Sequence, residues 1–228
     1  MDSHTDTWVG NWARGPWRLP LVAALLSLAA PSMAGAQPPA PRTIVFFGDS
    51  LTAGYGLPDP GTQSYPARIQ ALVDAEHLPW RVVNAGLSGE TSAGGLRRVD
   101  WVLNQGVDVF FLELGANDGL RGTPTSATGA NLQAIVDRVR LKRPGARIVV
   151  AGMRMPPNMG QEYEDAFRAL FPALALRNQA ILVPFLLDGV AEKTGLNQND
   201  GIHPNPAGAE IVAQGVWKVL APLLREPN

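Results

Sequence analysis

A serine, an asparagine, and a histidine with a carboxylate three residues upstream stand in three short segments far apart in this chain. The segments are Gly48-Asp49-Ser50-Leu51, Gly115-Ala116-Asn117-Asp118 and Asp200-Gly201-Ile202-His203-Pro204. Between them they hold the parts for acyl transfer: a hydroxyl to attack a carbonyl, an imidazole to take its proton, a carboxylate to orient the imidazole, and an amide to donate to the oxygen that becomes negative. Each segment lies just beyond an apolar run or in a loop near the end of the chain, where α/β sheets build their sites.

Ser50 follows Ile44-Val45-Phe46-Phe47-Gly48. That places it at the carboxyl end of a first strand, where the chain turns toward a helix. As a nucleophile it is not the elbow of an ordinary α/β-hydrolase, because the chain has no Gly-x-Ser-x-Gly. The structural alternative is a helix N-cap, a place that Ser and Asp both favour. Three histidines offer themselves as the base: His4, His77 and His203. His4 falls in the leader described below, and His77 ends a helical stretch, where an imidazole interacts with the helix C-terminus. His203 has Asp200 three residues back, Gly201 to let the chain fold sharply, and Pro204 to fix the backbone after it. Asp200 against one ring nitrogen would set the tautomer and leave the other nitrogen free. An Asp turn ahead of the last helix, with Pro206 in its first turn, is the alternative for the same residues.

Two further donors could face the oxyanion. Gly86, in Asn84-Ala85-Gly86-Leu87-Ser88-Gly89-Glu90-Thr91, would present a backbone N–H with no side chain in the way, and Asn117 follows Leu112-Glu113-Leu114. A turn glycine and a helix cap or Asx-turn are the other readings of these two.

The elements that must position these groups alternate along the chain. Apolar runs at Thr43 to Phe47, Arg81 to Ala85, Val107 to Leu114, Ala146 to Ala151 and Ala180 to Phe185 are short and bounded by Gly or Pro, as buried strands are. Helical spacing runs from Tyr65 to Glu76, Ala93 to Asn104, Thr128 to Lys142, Glu162 to Asn178 and Pro206 to Leu224. The alternation predicts a three-layer α/β/α domain of flavodoxin-like type, with a five-stranded parallel sheet covered on both faces.

Arg14 and Arg18 precede an apolar stretch from Leu19 to Ala30, and Ala34-Gly35-Ala36 offers the small residues a signal peptidase reads. Residues 1–36 are therefore expected to be a cleaved secretory signal and the product periplasmic or secreted. The stretch is shorter than the ~18–20 residues of a bilayer span and Pro20 interrupts it, which argues against a membrane anchor. Residues 37–42 form a Pro-rich spacer, and residues 43–228 one domain. With 46% hydrophobic residues the domain can bury a sizeable core. A formal net charge of -1 supplies no field toward nucleic acid, and the lack of cysteine excludes disulfides, metal thiolates and a thiol nucleophile.

With these blocks in order, the chain resembles the SGNH (GDSL) hydrolase family. Ser50, Gly86, Asn117 and His203 fall at the positions that name the family, and Asp200 falls at the third triad position. The likeness runs from about Thr43 to Leu224. It is most marked toward the bacterial periplasmic group of multifunctional thioesterases, lysophospholipases and arylesterases, through Phe47 to Gly56, Glu113 to Gly122 and Pro156-Pro157-Asn158. The resemblance implies the SGNH hydrolase fold, a serine esterase with no metal or cofactor, and fatty acyl esters and thioesters, lipids among them, as small-molecule substrates. Ala116 stands where that group usually has Gly, and Met159 where it often has Tyr. Met153, Met155, Pro156 and Met159 are candidates for a soft apolar wall along an acyl chain, or else for core filling. Two other functions are weighed: deacetylation of a sugar or cell-wall polymer on the same fold, and a nucleotide- or phosphate-binding module using the Gly/Ser/Thr-rich run from Gly86 to Gly95. That run matches neither Gly-x-Gly-x-x-Gly nor a P-loop with its lysine.

Overall fold

The computed structural model describes residues 40–155 and 159–226. The expected signal, residues 37–39 of the spacer and Pro156 lie outside them. A compact unit spans Pro39–Asn228.

Five apolar runs become five parallel strands: β1 (Arg42–Gly48), β2 (Trp80–Gly86), β3 (Val109–Glu113), β4 (Arg147–Ala151) and β5 (Ile181–Val183). β5 is shorter than the apolar run that predicts it because the regular ladder with β4 ends after Val183: Gly152 N–H donates to Val183 O at 2.8 Å, but Leu186, one residue beyond the regular partner, donates to Gly152 O at 2.9 Å. β3 stops at Glu113 because the chain leaves the sheet through Gly115, whose φ is +119°. The helices are α1 (Ser50–Ala53), α2 (Pro60–Gln63), α3 (Tyr65–Ala75), α4 (Ser92–Val102), α5 (Ala116–Leu120), α6 (Thr125–Lys142), α7 (Gln161–Arg177) and α8 (Pro206–Leu224). Five of them are the helices that periodicity predicts. α1, α2 and α5, of four or five residues each, are too short to show a period.

The strand order is β2-β1-β3-β4-β5. The chain therefore moves outward from β1 to β2 on one side and then crosses to β3 on the other. Such a reversal opens a crevice at the carboxyl ends of the two diverging strands, here β1 and β3, where Gly48 is in register with Glu113. Ser50 follows β1 and Asn117 follows β3, so the topology alone brings them to one crevice.

β1 is buried on both faces, as the centre of a three-layer domain requires: Ile44, Val45, Phe46 and Phe47 have no exposed surface. On one face Phe46 lies tilted against Phe111 at 4.7 Å and meets Tyr65 of α3 edge-on at 5.4 Å. On the other Phe47 lies 5.3 Å from Phe110, beneath α4 and α6. Burying each phenylalanine contributes ~1.5–3 kcal/mol. These rings hold the two strands whose ends carry the site.

Candidate active site

At the end of β1, Asp49 takes a non-helical conformation and its Oδ1 accepts from the N–H of Leu51 at 3.0 Å, capping α1 so that Ser50 is the first helical residue. The cap reading of this block is thus correct for Asp49, and it leaves the Ser50 side chain free to face the crevice. Ser50 Oγ lies 2.9 Å from His203 Nε2, and His203 Nδ1 lies 2.7 Å from Asp200 Oδ2. The other Asp200 oxygen accepts from the backbone N–H groups of Ile202 and His203, each at 3.0 Å. Burial pushes the Asp200 carboxyl up, but the N–H of His203, its ring, the N–H of Ile202 and the imidazole charge together outweigh this and hold it below the ordinary carboxylate value. It is an ionised acceptor that holds Nδ1 in its protonated form and leaves Nε2 able to take the Ser50 proton. Gly201, at φ +75°, makes the bend between the two residues, and α8 starts at Pro206 as the sequence predicts.

His77 has no part in this cluster. It follows α3 at φ +53°, exposed, ahead of β2 and so at the opposite end of the sheet from Ser50.

Asn117, the second residue of α5, points its Nδ2 at Asp49 Oδ2, 3.1 Å away. One amide hydrogen goes to the carboxylate and one remains. Gly86, the last residue of β2, differs from expectation in two ways. Its N–H is not open but donates to Asn84 Oδ1 at 2.9 Å, while Asn84 Nδ2 donates to Thr52 O at 2.8 Å. Its lack of a side chain serves the approach of α1, since a Cβ there would collide with the backbone of Ala53.

A layer of buried polar groups lies under the site, and it is what the sequence reading missed. Glu113 is fully buried; its Oε2 accepts from Thr52 Oγ1 at 2.7 Å and from Asp49 N–H at 3.1 Å, and Tyr65 Oη lies 2.7 Å from the same threonine oxygen. Burial, and then the charge of Asp49, push the Glu113 carboxyl well above its ordinary value, so it is a neutral acid. Burial also raises Asp49, to about 6, against the opposing hydrogen bonds from Leu51 and Asn117. At neutral pH the pair therefore carries one negative charge, on Asp49. The available signal was a glutamate inside the apolar run Leu112-Glu113-Leu114, since an unpaired acid is rarely buried. Nearby, Arg98 of α4 donates from Nε to both oxygens of Glu90, at 2.8 and 2.6 Å, and from its terminal nitrogen to Ala85 O at 2.8 Å and Gly48 O at 3.2 Å. It pins the ends of β1 and β2 together. Asp118 accepts from Ser92 N–H at 2.7 Å and Ser92 Oγ at 2.6 Å, fixing α5 to the start of α4.

Ser50, Asn117 and His203 line a cavity of about 640 Å3 whose other lining residues include Met153, Met155, Phe185, Leu187 and Ile202 and the charged Arg154, Asp188 and Glu192. Met153 and Met155 line this cavity, and Met153 is at the same time buried in the core. Met159 does not line the cavity; it lies near Gly122. Arg154 stands over the Phe185 ring at 4.5 Å.

A parallel sheet with a hydroxyl, an imidazole and a carboxylate in line at its switch point is the framework of a serine hydrolase. The GDSL-like Lipase/Acylhydrolase family model matches residues 46–211, and the chain belongs to that family. It is 39% identical to Esterase TesA of Pseudomonas aeruginosa over 189 residues, 82% of this chain and 92% of that one. It is 37% identical to an arylesterase of Vibrio mimicus, over 86% of this chain and 98% of the relative. To the thioesterase 1/protease 1/lysophospholipase L1 of Escherichia coli it is 36% identical, over 82% and 86%. Among solved structures, the psychrotrophic esterase EstA from a Pseudoalteromonas species superposes with a TM-score of 0.75 at 34% identity, covering 81% of this chain and all of that one.

Proposed function

We propose that this chain is a serine esterase that cleaves acyl esters and thioesters through an acyl-enzyme on Ser50. The observation that carries the reading is the line of contacts Ser50 Oγ to His203 Nε2 to Asp200, 2.9 and 2.7 Å long, on a cavity walled in part by apolar side chains. Ser50 Oγ attacks the acyl carbonyl as its proton passes to His203 Nε2, and Asp200 stabilises the imidazolium. Asn117, with the N–H groups of Ser50 and Gly86, holds the oxyanion, the Asn84 side chain giving up the Gly86 N–H to the substrate. His203 then protonates the departing oxygen or sulfur. Water, deprotonated by the same imidazole, attacks the acyl-enzyme and releases the acid, which restores the Ser50 hydroxyl.

The wall of Met153, Met155, Phe185 and Leu187 fits an acyl chain longer than acetyl, which favours the esterase and thioesterase reading over a polymer deacetylase. The names of the esterase, arylesterase and thioesterase relatives point the same way. A phosphate-binding role for the run from Gly86 to Gly95 finds no support, because the N–H at the start of α4 is already taken by the Asp118 carboxylate. Purified protein assayed on aryl esters of rising chain length, an acyl thioester and a lysophospholipid tests the reading, with fluorophosphonate labelling of Ser50 alongside. Turnover rising beyond acetyl with Ser50 labelled is expected; turnover of acetyl groups alone moves the assignment to the deacetylase, and an unlabelled Ser50 removes it. Export follows from the leader reading: N-terminal sequencing of the exported protein is expected to begin at Gln37, and retention of residues 1–36 on the exported product would refute cleavage.

A further inference from the structure

The loop that carries Asp200 and His203 lies on the surface, with Asp200, Gly201 and Ile202 all exposed. Little apolar packing holds such a loop, so its position depends on hydrogen bonds. Its two arms meet at a single antiparallel bridge, Asn197 to Pro204, and next to it the backbone N–H of Gln198 donates to His203 O at 2.7 Å while Gln198 O accepts from Gly201 N–H at 3.0 Å. These bonds close the loop on itself. They do not fix it against the helix that carries Ser50.

That link is made by the Gln198 side chain. Its Nε2 donates to Pro204 O within the loop at 3.0 Å and, across 143 residues of sequence, to Tyr55 O at 2.7 Å. Both partners are carbonyls, which can only accept, so the amide can stand only one way round. Its Oε1 faces Gly56, at φ +69°, where a Cβ would collide with it; the turn after α1 is shaped to admit this amide. The Tyr55 ring, on the residue whose carbonyl is held, lies 4.9 Å from the His203 ring. Among the described residues, the other side-chain hydrogen bond between this loop and residues 50–56 is the one from His203 to Ser50.

We propose that Gln198 is a positioning residue that sets the separation of His203 from Ser50 by tying the triad loop to the turn behind the nucleophile. The proposal rests on the serine-esterase reading above. It places a requirement for catalysis on a residue that touches neither substrate nor any reacting atom. A misplacement of about 1 Å between reacting groups costs on the order of 10²-fold in rate, and this brace is what prevents one.

Two variants test it. Gln198→Met keeps the length of the side chain and removes its donors; Gln198→Glu keeps size and solubility and sets a carboxylate against two carbonyls. For both, kcat on an aryl ester and the rate of fluorophosphonate labelling of Ser50 are expected to fall about 10- to 100-fold, with KM within about twofold of the parent. Gln198→Glu is expected to lose at least as much as Gln198→Met, and the thermal midpoint, governed by the distant core, to stay near that of the parent. Either folded variant retaining kcat within about twofold, or a loss confined to KM, overturns the brace. Failure of the parent protein to label would instead sink the esterase reading, so the two failures are separable.

Discussion

Asp49 Oδ2 lies 3.1 Å from Asn117 Nδ2, and Asp49 is buried between β1 and β3 with its other oxygen capping α1. An ionised carboxylate can only accept, so it draws the nitrogen of the Asn117 amide and not its oxygen. On the proposed mechanism, Asp49, the residue beside Ser50, thereby decides that Asn117 presents a donor to the substrate. Asp49→Asn keeps a good N-cap but can hydrogen-bond to Asn117 either way round. Its kcat is expected to fall about 10- to 100-fold, against about 10²- to 10³-fold for Asn117→Ala. In the double variant the two losses should not add; independent losses would show that Asp49 does not act through Asn117. Protonation of Asp49, near pH 6, removes the ionised acceptor. A step of about 10- to 100-fold in kcat/KM is therefore expected near pH 6 in the parent and is expected to be absent in Asp49→Asn.

The assignment of the base is tested by histidine replacement. Ser50→Ala and His203→Ala should each lower kcat by on the order of 10⁴- to 10⁶-fold, since the members of a triad act as a unit. His77→Ala, at the far end of the sheet, should leave kcat within about twofold. Loss of turnover in His77→Ala with His203→Ala unaffected would reverse the assignment.

The buried acid under the site has a stability signature of a definite sign. Glu113 ionises in the unfolded chain near its ordinary value but stays protonated in the fold. Above that ordinary value the folded state therefore holds a proton that the unfolded state lacks, and stability falls as pH rises. Glu113→Gln keeps an acceptor for Thr52 and Asp49 and removes the titration. Its stability relative to the parent is expected to rise between pH 4 and pH 8, by at most about 1.4 kcal/mol per pH unit. Parallel denaturation midpoints for the two proteins across that range would show that Glu113 is ionised in the fold.

The fold and the grouping of Ser50, His203 and Asp200 were legible in the sequence because both depend on local pattern. The runs before Gly48, Gly86 and Leu114 are apolar enough to be read as strands, and strand ends locate Ser50 and Asn117 without any knowledge of distant contacts. Asp200 and His203 are three residues apart, so a turn suffices to join them. What was not legible depends on contacts across the fold. Nothing near Gln198 in sequence indicates that it reaches Tyr55, and the open N–H expected of Gly86 is occupied because Asn84, two residues away, turns its side chain back. The glycine itself reads as a turn residue until the backbone of α1 is seen against it. Glu113 left a trace, one charge in an apolar run, but its neutral state follows from complete burial beside Asp49.

Arg98 offers a measure of how firmly the strand ends are held. Its guanidinium is bonded to Glu90, to Ala85 O and to Gly48 O, and lies 4.1 Å above the Phe47 ring, while the Glu90 side chain is only 4% exposed. Removing the arginine alone leaves a buried carboxylate without its partner, which costs far more than the pair contributes. Arg98→Met is expected to destabilise the fold by about 3 kcal/mol, and Glu90→Gln combined with it to recover more than half of that loss. Equilibrium denaturation of the single and double variants checks this. A single variant within about 1 kcal/mol of the parent would show that water reaches Glu90 and that the clamp is not what holds β1 and β2 together at the site.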